Sequence, residues 1–132
     1  MTAWIISQTN RFKAASLGAG MSDLVSFYGQ TDISGFLEFY FGDVPWKALD
    51  LYNRLSPITH AANIRTPTLI LHGEKDFRVP LPQAEELCVA LRRNGVPVEM
   101  FIYPRQGHVV LEPKFMEDMA QRNIEWFGRW IK

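Results

Sequence analysis

Two side chains in this sequence could do chemistry together. Asp76 stands in "GEKDFRVP" (Gly73–Pro80) and His108 in "YPRQGHVVLEP" (Tyr103–Pro113). Each lies in a polar turn that follows an apolar run. A carboxylate beside an imidazole is the base half of a nucleophilic catalyst. One ring nitrogen stays free to take the proton of a serine or cysteine. The carboxylate on the other nitrogen fixes that tautomer and stabilises the imidazolium. In a serine-protease triad, replacing that carboxylate costs about 10⁴-fold in turnover.

For the two residues to meet, the elements before them must end at one rim. "TPTLILHG" (Thr66–Gly73) and "VEMFIY" (Val98–Tyr103) read as strands, and the unbroken Leu69-Ile70-Leu71 suits a strand covered on both faces. "FKAASLGA" (Phe12–Ala19) reads as a weaker strand of small residues. Between the last two strands lies a helix with Pro82 in its first turn, Arg92-Arg93 in its last, and Gly95 to stop it. Ala84, Leu87, Cys88 and Leu91 give it one apolar face. A final helix begins near Pro113, with Phe115/Met116, Met119/Ala120, Ile124, Phe127 and Trp130/Ile131 along one side. A shorter helix, roughly 2–8, opens the chain.

Strands alternating with helices predict an α/β fold with about three parallel strands and flanking helices. In such a sheet, catalytic groups gather outside the carboxyl ends of the strands. Asp76 and His108 are therefore expected side by side. Their order, Asp before His, is that of the last two triad members in α/β hydrolases.

The stretch 21–63 differs. It is rich in aromatics and broken by Gly29, Gly35, Gly42, Pro45 and Pro57, so it reads as an irregular helical segment over the strand ends. Its aromatics are expected mainly to fill the core, with a substrate pocket as the alternative. The whole of 1–132 is expected to form a single, partial domain.

Composition excludes several function classes. Lys+Arg and Asp+Glu are both 14, so no charge excess points to nucleic acid or an anionic membrane. No apolar run reaches the roughly 18 residues of a membrane span, and "MTAWIISQTN" lacks the pattern of a signal peptide. A single cysteine permits no intrachain disulfide and suits a reducing, cytoplasmic setting. Cys88, on a helix's apolar face, reads as a buried structural thiol. Three histidines without clustered spacing make no metal site, and no cofactor is expected. His60 and His72 read as ordinary residues.

The run "TPTLILHGEKDFRVPLPQAEELCVALRRNGVPVEMFIYPRQGHVV" resembles the end of the catalytic domain of the prolyl oligopeptidase family of serine peptidases. Its acylaminoacyl peptidases and dipeptidyl aminopeptidases are the most similar. "MTAWIISQTNRFKAASLGAGMSDLVSFYG" matches as well, so the resemblance covers essentially the whole chain. It implies the C-terminal part of an α/β-hydrolase fold, with Asp76 and His108 as triad members acting on a peptide substrate. Arg78 matches a family arginine that binds a substrate backbone carbonyl. Its alternative reading is a surface charge paired with Glu74.

The same resemblance sets what is missing. The family's Gly-x-Ser-x-Gly-Gly-Tyr elbow comes just before the segment matching "MTAWII", and no Gly-x-Ser-x-Gly occurs in this sequence. Ser7, Ser16, Ser22, Ser26, Ser34 and Ser56 lie on no strand-to-helix elbow. The expectation is a serine-peptidase fragment inactive alone. The alternatives are a non-catalytic oligomerisation or complementation module, or an α/β-hydrolase esterase remnant. The strand 12–19 would normally pair with the strand leading to the nucleophile. Its open edge predicts a homo-oligomer or a companion chain carrying the upstream half.

Overall fold

The computed structural model describes residues 1–131. Three parallel strands, β1 (Ala15–Gly18), β2 (Thr68–Gly73) and β3 (Val98–Tyr103), form a sheet in the order β1-β2-β3. Ala15 sits level with Thr68, and Thr68 with Val98. Around them run α1 (Thr2–Gln8), α2 (Leu24–Gln30), α3 (Ser34–Phe41), α4 (Leu49–Leu55), a 3-10 segment (Pro57–Asn63), α5 (Leu81–Arg93) and α6 (Pro113–Trp130).

The residues of β2 explain the layers. All six of its residues are buried, and successive side chains point to opposite faces. Ile70 joins Ala3, Ile6, Leu17, Leu87 and Leu91 under α1 and α5. Leu69 and Leu71 join Tyr103 and Trp126 under α6. A strand read as covered on both faces is covered on both faces. Cys88 lies in the first of these layers, 3% exposed, and burial raises its thiol pKa.

Two sequence expectations need correction. The first strand is four residues long, not eight. Its pairing begins where the Ala15 N–H meets the Pro67 carbonyl at 2.9 Å, and Pro67 has no N–H with which to extend the ladder. The apolar side of α6 is also split. Phe115, Met119, Trp126 and Trp130 pack on the sheet. Met116 and Ile124, on a neighbouring face of the helix, are 53% and 68% exposed. That face has too little sheet beneath it to be covered, because β1 pairs with β2 alone among the described residues.

The segment 21–63 builds a core of its own. Leu24, Phe27, Leu37 and Tyr52 close around Val79, which belongs to the loop after β2. The expected core role holds for Phe27 and Tyr52, whereas Phe36, Phe39, Tyr40 and Trp46 are exposed. Asp23 caps α2, its carboxylate accepting the Val25 N–H at 2.9 Å.

Gln83, in the first turn of α5 and 1% exposed, staples this segment to the sheet layer. Its Oε1 accepts the backbone N–H groups of Ser22 (3.1 Å) and Asp23 (3.0 Å). Its Nε2 donates to Ser26 Oγ (3.0 Å) and Gln30 Oε1 (2.9 Å). Gln83→Ala leaves the Ser22 and Asp23 donors without their acceptor, and is expected to cost about 1–3 kcal/mol. Urea unfolding checks this, and an unchanged midpoint refutes it.

Candidate active site

Both loops that carry the site leave the sheet at its carboxyl edge and are tied to each other by backbone. The Glu74 N–H donates to the Tyr103 carbonyl at 3.0 Å, and the Lys75 N–H to the Gln106 carbonyl at 2.7 Å. Gly73, which ends β2, makes this approach possible. A Cβ there would lie 2.2 Å from the Gly107 carbonyl oxygen and 2.7 Å from that of Gln106. Gln106, 6% exposed, shapes the rest of the second loop. Its Oε1 accepts the Leu111 N–H at 2.9 Å, and its Nε2 donates to Glu112 Oε1 at 2.6 Å. Arg105 turns the chain with φ 67, and its N–H is taken by Glu74 Oε2 at 2.8 Å.

These constraints bring the two expected residues together. His108 Nδ1 lies 3.0 Å from Asp76 Oδ2. Asp76 is 3% exposed, and the other oxygen of its carboxylate accepts the N–H groups of Arg78 (2.9 Å) and Val79 (2.8 Å). Oδ1 is thus fully engaged by the backbone, and Oδ2 is turned to the imidazole. Nδ1–H donates to Asp76, which leaves Nε2 as the ring's lone-pair acceptor. The ring is 46% exposed and borders a cleft of about 590 Å³. Gly18, Ala19, Leu71, Val109, Val110 and Met119 also line that cleft, between the end of β1 and α6.

Arg78 follows Asp76 in the same loop, but it does not pair with Glu74. Its Nε donates to Asp32 Oδ1 at 2.6 Å and its Nη2 to Oδ2 at 3.3 Å. The segment around Asp32 is moored to the same loop. The Asp32 N–H meets the Phe77 carbonyl at 3.1 Å, and Thr31 Oγ1 donates to the Arg78 carbonyl at 2.7 Å. The guanidinium holds the Asp32 carboxyl below the ordinary 3.8. A carboxyl whose folded value is depressed keeps its pairing above the ordinary value and loses it as pH falls through the depressed one. The pair is therefore complete at neutral pH. Arg78 keeps 44% of its side chain exposed, so the rim retains donors for a neutral acceptor.

His60 Nε2 meets the Arg54 carbonyl at 2.9 Å, away from the site. Among the described residues no group of three or more His, Cys, Asp or Glu is placed to hold a metal, and no helix is long and apolar enough to cross a membrane. Sequence reasoning missed Asp32, Gly73 and Gln106. Only Gly73 carried a signal, as a glycine closing a strand just before a candidate carboxylate.

The sequence pattern of the prolyl oligopeptidase family matches residues 1–132. The chain belongs to the prolyl oligopeptidase family. Within the family it is 43% identical over 110 residues to the uncharacterized peptidase YuxL of Bacillus subtilis, covering 82% of this chain and 17% of that protein. It is 31% identical over 142 residues to the acylamino-acid-releasing enzyme of Arabidopsis thaliana, covering all of this chain and 18% of that one. The acylaminoacyl peptidase of Pyrococcus horikoshii superposes with a TM-score of 0.93 at 29% identity, over 100% of this chain and 22% of its own. The chain thus spans about a fifth of the length of these relatives. Its three strands and flanking helices are part of an α/β-hydrolase fold.

Proposed function

We propose that this chain supplies the Asp76–His108 half of a serine peptidase acting on acyl-peptides or oligopeptides, and that it is inactive alone. The observation that carries this reading is the 3.0 Å contact between His108 Nδ1 and a buried carboxylate already fixed on its other oxygen. His108 Nε2 takes the proton of a serine hydroxyl as Oγ attacks the peptide carbonyl carbon. It then gives that proton to the departing amine, and a water repeats the sequence on the acyl-enzyme. Asp76 holds the tautomer throughout. Arg78 binds a substrate carbonyl at the rim, steadied by Asp32.

The serine comes from a segment outside these 132 residues, which contain no Gly-x-Ser-x-Gly. Two features support seating it beside β1. One is the open edge of that strand, a template for a further parallel strand. The other is the apolar cleft between β1 and α6, flanked by the exposed Met116 and bordered by His108. The same surface would accept a second copy of this chain, which is the non-catalytic, oligomeric reading. We place the chain in the cytoplasm, where the lone Cys88 thiol stays reduced; cell fractionation checks this.

The deciding experiment assays the purified chain on p-nitrophenyl esters and acyl-peptide anilides, alone and with the Gly-x-Ser-x-Gly-bearing segment of a relative. No rate above a His108→Ala control alone, and a serine-inhibitor-sensitive rate after complementation, are expected. A clear inhibitor-sensitive rate from the chain alone overturns the proposed incompleteness. Complementation that fails although the two segments associate favours the oligomeric module. Light scattering on a size-exclusion column tests the partner, because a stable dilute monomer that ignores the added segment speaks against it.

Arg78 separates peptidase from esterase. Arg78→Ala in the complemented enzyme is expected to raise KM for a peptide anilide about tenfold, the loss of one charge-assisted hydrogen bond of about 1.5 kcal/mol. KM for a short p-nitrophenyl ester should hardly move. Equal effects on both substrates refute the assignment.

A further inference from the structure

A second imidazole stands behind Asp76. His72 is the penultimate residue of β2 and 1% exposed. Its Nε2 lies 2.8 Å from the Val79 carbonyl oxygen and 3.6 Å from Asp76 Oδ2, while Nδ1 is buried with no partner among the described residues. A carbonyl only accepts, so the ring hydrogen sits on Nε2. Residue 79 is then held at both ends. Its C=O is fixed by His72, its N–H is given to Asp76 Oδ1 at 2.8 Å, and its side chain is buried among Leu24, Phe27 and Tyr52.

The consequence reaches the site by a short route. The N–H groups of Arg78 and Val79 are what pin Oδ1. Pinning Oδ1 is what aims Oδ2 at His108. A loop free to rotate at Val79 would let the carboxylate swing about its own axis and misdirect that bond. His72 Nε2 also lies 3.6 Å from Oδ2, the oxygen that His108 uses.

We infer that His72 is a positioning residue for the Asp76–His108 pair, acting by locking the Val79 carbonyl with its Nε2–H. The inference rests on the proposed relay, and its test reads the pair without needing turnover. In the full chain, ¹⁵N chemical shifts of the wild-type His72 ring should show a protonated Nε2 and a bare Nδ1. The opposite tautomer overturns the inference outright, with no variant required. His72→Gln can still offer an N–H near the position of Nε2, whereas His72→Leu cannot.

In His72→Gln the low-field Nδ1 proton signal of His108 is expected to persist. In His72→Leu it is expected to move upfield or vanish by exchange, while amide signals away from residues 72–79 stay in place. In the complemented enzyme His72→Leu should lower kcat at least tenfold with KM little changed, and His72→Gln should recover most of it. A folded His72→Leu chain with unaltered His108 ring signals defeats the inference and leaves the relay standing. If His72→Leu does not fold, the Gln variant decides: loss of the His108 signal in a folded Gln chain with normal loop amides refutes the role. Failure of the relay itself is read separately, from the turnover of Asp76→Asn.

Discussion

In the complemented enzyme, Asp76→Asn is expected to lower kcat on an acyl-peptide anilide by about 10⁴-fold, with KM little changed. The local hydrogen bonds dictate why the loss should be so large for so small a change. Two backbone donors, the N–H groups of Arg78 and Val79, meet Oδ1 at 2.9 and 2.8 Å. An asparagine must therefore place its carbonyl oxygen there and its NH₂ group where Oδ2 stood, 3.0 Å from His108 Nδ1. That NH₂ donates to Nδ1 and drives the ring hydrogen to Nε2, so the nitrogen facing a serine has no lone pair to offer. Kinetics give the magnitude, and ¹⁵N shifts of the His108 ring give the cause. A loss below tenfold, or a ring that keeps its hydrogen on Nδ1, would show that Asp76 does not set the tautomer.

What the sequence announced and what it hid divide along the range of the interactions. β3 was legible to the residue and β2 to within two, because an unbroken apolar run admits few alternatives to a strand covered on both faces. The helix α5 was legible from Pro82, its apolar stripe and Gly95. Asp76 and His108 follow from those elements, since two successive crossovers in a parallel sheet must deliver their loops to one edge. The partner of Arg78 was not legible. Asp32 lies 46 residues upstream in a segment with no periodic signal, and it reaches Arg78 only because Thr31 and Asp32 are bonded to the backbone of the loop that holds Asp76. Trp126 was missed for a related reason. A helix with apolar residues on more than one side does not declare which side the sheet will meet, and the three-stranded sheet meets the Trp126–Trp130 side.

Gly73→Ala tests the same architecture from the backbone rather than from the reacting groups. The φ of Gly73 lies outside the left-handed region, so alanine is not excluded by conformation. It is excluded by space. The new methyl carbon would lie 2.2 Å from the Gly107 carbonyl oxygen and 2.7 Å from that of Gln106, both of them backbone atoms with no rotamer to yield. Restoring an ordinary contact to the first requires about 1 Å of movement. His108 is the next residue in that loop, and β2 is buried on both faces, so the loop moves rather than the strand. A shift of that size takes Nδ1 out of reach of Asp76 and strips the Lys75–Gln106 backbone bond of 2.7 Å. Misplacement by about 1 Å costs on the order of 10²-fold in rate. The expected result is therefore a kcat about 10²-fold lower in the complemented enzyme, with lost hydrogen-exchange protection at the Lys75 amide and native protection retained in β2. If the Lys75 amide stays protected and the rate is unchanged, the two loops are not in the contact that holds this pair together.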